Sequence, residues 1–226
     1  MNIGVIVASA GQSKRLGHNK VLMELRGKPV LLFSLEKFIK LSSLSELVIV
    51  IRPQDEEDVR NILSKAGISE SIVKIIHGGK ERQDSVYRGL MALTSSDIVM
   101  VHDGARPFIS YELIVKLIEE VEIHPAVIPA LPVKETIKVV KDGYVESTLK
   151  RELLWSVQTP QVFRYKILLE AYEKAYQDKF YGTDDASLVE RLGYKIRVIE
   201  GEYTNLKITT KEDLLLAHRY LELLGI

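Results

Sequence analysis

Cysteine is missing from all 226 residues of the chain, which excludes disulfides and thiolate metal sites. Neither sign of charge is in excess, because 31 basic residues balance 31 acidic ones. The basic surplus of a general nucleic-acid binder is therefore lacking, and a phosphate ligand must be met by local clusters of lysine and arginine. No apolar stretch approaches the length of a membrane span. The opening "NIGVIVAS" lacks the basic lead and apolar length of a signal peptide. Repeats, low-complexity tracts and linkers are absent too. What is present is a 46% hydrophobic chain, enough for a sizeable core. The expectation is a soluble, cytoplasmic protein of one domain over 1–226, with neither nucleic acid nor membrane as partner.

Short runs rich in valine and isoleucine alternate with amphipathic segments. Ile3–Val7, Leu47–Ile51, Val73–Ile76, Ile98–His102 and Ala126–Ala130 read as strands. Val30–Leu41, Asp55–Ala66, Asp84–Leu93 and Tyr111–Val121 read as helices, the last with Leu113, Ile114, Leu117, Ile118 and Val121 on one stripe. Near-continuous apolar strands separated by helices imply an α/β fold whose mostly parallel sheet is covered on both faces. Such sheets bind ligands beyond the carboxyl ends of their strands. The alternation breaks at "TIKVVKDGYVESTL", where Thr136–Val140 and Tyr144–Leu149 flank Asp142-Gly143. That is a two-residue hairpin signal, expected to form an arm over about 134–152 that leaves the sheet. Beyond it come a strand near Trp155–Val157, helices at Arg164–Ala175 and Asp185–Leu192, and a strand at Lys195–Ile199. Thr210 and Asp213 have capping-box spacing and start a final helix.

Three polar clusters fall at strand ends. "ASAGQSKRLGHNK", Ala8 to Lys20, follows the first strand. Gly11 and Gly17 lack the dinucleotide-fold spacing, and His18 stands where a Walker A loop would need lysine. Small residues still admit a ligand close to the backbone, and Lys14, Arg15 and Lys20 suit phosphate. "GGKERQDS", Gly78 to Ser85, sets two glycines before a helix that Asp84 or Ser85 would cap. In "VHDGARP", Asp103 ends a strand where it could hold or orient Mg²⁺, whose hard-oxygen preference suits carboxylate and phosphate. An internal Asp103–Arg106 pair bracing the turn is the alternative, and His102 reads as a packing or hydrogen-bonding residue. "YGTDDAS" puts Thr183 ahead of Asp184 and Asp185 at a helix start. "NLKITTKED" puts Lys207 in an apolar, strand-like segment. Arg15, Lys20, Arg106, Arg151 and Lys207 make joint sense only for a ligand with several phosphates, which points to nucleotide chemistry.

These motifs together resemble the 2-C-methyl-D-erythritol 4-phosphate cytidylyltransferase family. The likeness runs along nearly the whole chain through "AGxxxRLG" with Lys20, "GGxERxDSV", "VHDGARP", "PVKETIK", "RxLLWxVQTPQ", "TDDAS" and "NLKIT". It implies a Rossmann-like nucleotidyltransferase fold, dependence on Mg²⁺ and a homodimer whose hairpin arms embrace. By the same resemblance Ala8, Ser9, Ala10 and Gly11 lie against cytidine and phosphates, with Gly79 and Ser85 near the base and Gly104 near the ribose. Arg15 and Lys20 match the triphosphate and transition-state residues, and Lys207 joins that charged centre. Asp103, Arg106 and Thr183 match positions around the polyol phosphate, while Thr136 and Arg151 match contacts from the second subunit's arm. The chain departs from the family's usual pattern in three places. Ala8-Ser9 replaces Pro-Ala, Lys80 stands where an acid is common, and Val21 where glutamine is usual.

The implied reaction is transfer of CMP from CTP to 2-C-methyl-D-erythritol 4-phosphate, with release of pyrophosphate, in non-mevalonate isoprenoid precursor synthesis. A related enzyme acting on another polyol phosphate, such as ribitol 5-phosphate, is the nearest rival. A nucleotide-binding regulatory module or a glycosyltransferase represents a different class.

Overall fold

The computed structural model describes residues 1–11 and 21–225. The chain opens with β1 (Ile3–Ala8), and a small ribbon of β2 (Glu24–Leu25) and β3 (Lys28–Pro29) leads into α1 (Val30–Ile39). Strand and helix then alternate through β4 (Leu44–Ile51), α2 (Glu56–Lys65), β5 (Val73–His77), α3 (Arg82–Met91), β6 (Ile98–Asp103), α4 (Tyr111–Ile123) and β7 (Ala126–Pro132). The hairpin β8 (Lys138–Lys141) and β9 (Tyr144–Thr148) interrupts this rhythm. After it come β10 (Trp155–Val157), β11 (Gln161–Arg164), α5 (Tyr165–Gln177), α6 (Asp185–Arg191), β12 (Ile196–Glu200) and α7 (Lys211–Leu224).

Eight strands form the main sheet, in the order β10-β7-β11-β6-β1-β4-β5, with β12 also paired to β7. The β1, β4, β5 and β6 ladders are parallel, as is β12 on β7. Side chains alternate across the sheet. Val5 and Val7 enter one core with α1 and α4, while Ile6 enters another with α3, α5 and α6. Two covered faces explain why these strands are apolar throughout rather than at every second residue. The expected Rossmann-like α/β arrangement is the one observed.

Three local readings are corrected. Helix α3 begins at Arg82, not Asp84, because the Asp84 carboxylate reaches back to the N–H of Glu81 at 3.0 Å and serves the first turn from inside it. A short strand, β11, lies antiparallel between β6 and β7; four residues entered directly from Pro160 carry too little pattern to announce it. The segment around Lys207 is not a strand. Asn205 and Ile208 anchor it through side-chain and backbone bonds to Thr159 and Ala105 instead.

The hairpin is the expected one. Asp142 and Gly143 have φ of 50° and 84°, the left-handed pair that a tight two-residue turn requires. Val140, Tyr144 and Val145 are exposed on it, and among the described residues its strands pair only with each other.

At the sheet end opposite the strand carboxyl termini, buried Glu46 accepts from the backbone N–H groups of Thr94 and Ser95 and from Lys74 Nζ at 2.8 Å. Burial opposes its charge, but Lys74 and those N–H groups bring its pKa down from 4.5 to about 2. The folded-state value is the lower one, so the stabilisation is full at neutral pH and fades as pH falls through 4.5 towards 2. Glu46→Gln is expected to cost on the order of 3 kcal/mol at pH 7. Urea unfolding should show that difference shrinking below pH 4, and a pH-independent difference would refute the linkage.

Candidate active site

A cleft of about 460 Å³ opens above the carboxyl ends of β1 and β6. Its floor is Ala8, Ser9, Ala10 and Gly11, the run leaving β1. One wall is the turn from β5 into α3, contributing Gly79, Lys80, Glu81, Arg82 and Ser85. Asp103, Ala105 and Lys207 close the other side, with Val21 at the margin.

Glycine is needed where these walls approach. A Cβ on Gly78 would collide with Ala10 Cβ, and one on Gly104 with Ser9 Oγ. Gly104 sits behind the cleft floor, its N–H donating to Ala8 O at 3.0 Å. The Gly78-Gly79 turn is held by the Ser85 hydroxyl, which accepts from Gly79 N at 3.1 Å and donates to Glu81 O at 3.0 Å. Arg88 adds a bond to Gly78 O at 2.9 Å. Ser85 thus shapes the loop and lines the cleft at once.

The charged centre is Asp103. Its Oδ2 accepts from Lys207 Nζ at 2.6 Å, and its Oδ1 from Arg82 Nε at 3.3 Å. Burial alone would raise the carboxyl pKa, but Arg82 and Lys207 hold it well below the usual carboxylate range. Arg82 also donates to Oδ2 of fully buried Asp185 at 2.8 Å, and Asp185 Oδ1 accepts from the Tyr172 hydroxyl. Burial works against the Arg82 charge, yet Asp185 and Asp103 more than restore it.

His102 lies directly beneath. Its Nε2 donates to Arg106 O at 3.0 Å, leaving Nδ1 to face the Thr159 hydroxyl at 3.3 Å. Burial pushes its pKa down to about 4, so the ring is neutral and braces the turn, the packing and hydrogen-bonding role expected of it.

The structure therefore gathers Ala8, Ser9, Ala10, Gly11, Gly79, Ser85, Asp103 and Lys207 at one cleft, with Gly104 packed beneath it. Arg106 lies nearby but turns away: Nη1 donates to Asn205 O at 2.7 Å and Nη2 to Val157 O at 3.4 Å. No direct Asp103–Arg106 pair forms; the arginine clamps the Lys207 segment to β10. Exposed Thr183 precedes the cap of α6; it does not line the cleft itself but shares a small neighbouring pocket with Arg82. Thr136 and Arg151 are on the arm and its root, where Arg151 Nη1 donates to Lys134 O at 2.8 Å. Arg15 and Lys20 fall outside the described residues. Sequence reasoning passed over Arg82, although it stands inside the quoted "GGKERQDS".

A mostly parallel α/β sheet with a cleft of small residues and paired cations at its strand ends is the arrangement of a nucleotide-handling enzyme. Residues 3–223 match the family model "IspD: 2-C-methyl-D-erythritol 4-phosphate cytidylyltransferase", and the chain belongs to that family. It is 44% identical over 216 residues to the enzyme of that name from Bacillus pumilus, covering 94% of each chain. The crystal structure of 4-diphosphocytidyl-2C-methyl-D-erythritol synthase from Anaerococcus prevotii superimposes with a TM-score of 0.87 at 36% identity, over 98% of this chain and 96% of that one. That of the cytidylyltransferase from Thermus thermophilus gives 0.80 at 31% identity, over 98% and 100%. A regulatory module without catalysis is thereby set aside.

Proposed function

We propose how this cleft carries out the family's reaction. The chain transfers CMP from CTP to 2-C-methyl-D-erythritol 4-phosphate in the non-mevalonate route to isoprenoids. A phosphate oxygen of the polyol phosphate attacks the α-phosphorus of CTP, the bond to the β-phosphate oxygen breaks, and pyrophosphate leaves. The attacking oxygen is already anionic, so no strong general base is needed, in keeping with a neutral, buried His102. The protein's work is to align two mutually repelling anions and to neutralise the charge that builds up.

The observation that carries this reading is the triad of Arg82, Asp103 and Lys207 at the edge of a small-residue cradle. Ala8 to Gly11, Gly79 and Gly104 make room for cytidine and ribose, while Lys207, Arg15 and Lys20 meet the phosphates. Among the described residues there is no cluster of three or more metal-ligating side chains. Mg²⁺ does not require one, since it keeps several waters and binds through one or two carboxylates plus substrate phosphates. Asp103 fits as the residue that would hold it, directly or through water, and the ion would supply neutralisation of phosphate charge. Thr183 and Arg106 belong to the polyol-phosphate side in this reading, and Thr136 and Arg151 reach the site of a second subunit through the arm. No helix among the described residues is long and apolar enough to cross a membrane.

Incubation with CTP, Mg²⁺ and a panel of polyol phosphates tests the whole. Pyrophosphate should appear with the methylerythritol ester and not with ribitol 5-phosphate; the reverse preference would overturn the substrate assignment. Base choice is a separate prediction. Because Gly78 packs on Ala10 and Gly79 on Asp84, the wall beside the base has no slack. ATP and GTP should show kcat/KM at least about 10²-fold below that of CTP. Comparable turnover of ATP would mean the base lies elsewhere.

A further inference from the structure

We propose that Asp185 is a positioning residue for the reaction, holding Arg82 so that its guanidinium braces Asp103 and turns its spare N–H groups to a substrate phosphate. The side chains form an unbroken line from the interior to the cleft. The Tyr172 hydroxyl donates to Asp185 Oδ1 at 2.5 Å, Arg82 Nη2 donates to Asp185 Oδ2 at 2.8 Å, and Arg82 Nε faces Asp103 Oδ1 at 3.3 Å. Lys207 then completes it on Asp103 Oδ2.

Each link has a reason in the fold. Asp185 and Tyr172 are both fully buried, and Asp185 opens α6 against α5. Its carboxylate is therefore fixed by two helices, whereas the Arg82 side chain is about one-third exposed and reaches the cleft. A guanidinium has five N–H donors in a rigid fork. Two are spent on Asp185 and Asp103, and those left are preorganised for anionic oxygen. The formal charges of Arg82 and Lys207 cancel those of Asp103 and Asp185. The quartet is thus stable while empty, and incoming phosphate can compete for both cations. Without Asp185 the guanidinium would keep its charge and lose its second anchor, and a displacement of about 1 Å at a reacting centre costs roughly 10²-fold in rate. This role of Asp185 rests on the cytidylyl-transfer reading of the cleft and requires neither the metal nor the arm.

A double-mutant cycle on the full-length protein tests it. Asp185→Asn alone should lower kcat by roughly 10–10²-fold with a smaller change in KM for CTP. Arg82→Ala should lower kcat at least as far and also lower the melting temperature, because it strands a buried carboxylate. Adding Asp185→Asn to Arg82→Ala should then recover melting temperature and leave kcat within about twofold of the Arg82→Ala value. Additive losses of kcat would assign Asp185 a merely structural role, and near-wild-type kcat in Arg82→Ala would remove the guanidinium from the reaction; either overturns the proposal. If Asp185→Asn does not fold, Tyr172→Phe serves in its place in the same cycle, with a smaller loss expected in the wild-type background and none in the Arg82→Ala one.

Discussion

Lys207→Ala should lower turnover by about 10²–10³-fold, the usual cost of one preorganised charge-stabilising contact. The lysine is carried by an extended segment whose freedom is removed on both sides. Asn205 Nδ2 donates to Thr159 O at 2.9 Å, and Ile208 N donates to Ala105 O at 2.9 Å. Arg106 clamps the same segment through Asn205 O. A side chain so mounted is placed before substrate arrives, so its contribution in the transition state needs little rearrangement. Folding should suffer less than catalysis, because Asp103 keeps Arg82 when Lys207 is lost. Lys207→Arg should restore little, since a planar fork cannot occupy the space of a point charge 2.6 Å from Asp103 Oδ2. Steady-state assay of pyrophosphate with a melting curve for each variant separates the two effects. Turnover within a few-fold of wild type in the alanine variant would exclude Lys207 from the charged centre.

The contrast between Lys207 and Arg82 shows what a sequence displays and what it conceals. Strand ends could be located from valine and isoleucine runs, and everything that leaves a strand end as a glycine or an acid could be placed with them. That pattern places the clusters around Gly11, Gly78-Gly79 and Asp103 at strand ends, while the family resemblance assigns Ala8 to Gly11 and Gly79 to the nucleotide. The Arg82–Asp185 bond joins residues 103 positions apart, and no local pattern announces it. Asp185 already had a sufficient local explanation at a helix start, and Arg82 stood in a cluster whose glycines and cap residues drew the reading. For Arg106 the alternative of a pair with Asp103, suggested by proximity in sequence, is not what forms: the tight turn sends the guanidinium past the acid to the carbonyls of Asn205 and Val157. Strand β11 was hidden for a third reason, because its neighbours β6 and β7 supply the burial that its four residues cannot advertise. The hairpin was legible outright, since Asp142-Gly143 states its own backbone geometry.

Mixing Lys207→Ala chains with Arg151→Ala chains should restore activity that neither variant has alone. Thr136 and Arg151 do not line the cleft of their own chain, although the family resemblance assigns both to substrate. The arm on which they sit exposes Val140, Tyr144 and Val145, and its root exposes Leu153 and Trp155. A lone two-stranded hairpin is marginal in water, so exposed apolar side chains on it call for a partner surface. If the arm crosses to a second copy related by a two-fold axis, each site combines Lys207 of one chain with Arg151 of the other. A heterodimer of the two variants then collects both lesions in one site and leaves the other intact. Random exchange of equal amounts makes half the dimers mixed, so about a quarter of wild-type activity should return. If each chain instead supplied both residues to its own site, every site in the mixture would carry one lesion and nothing would return. Subunit exchange must be verified, for instance by native mass spectrometry of differently tagged chains. Exchange without recovery would refute the shared site, and a monomer at assay concentration would remove its basis.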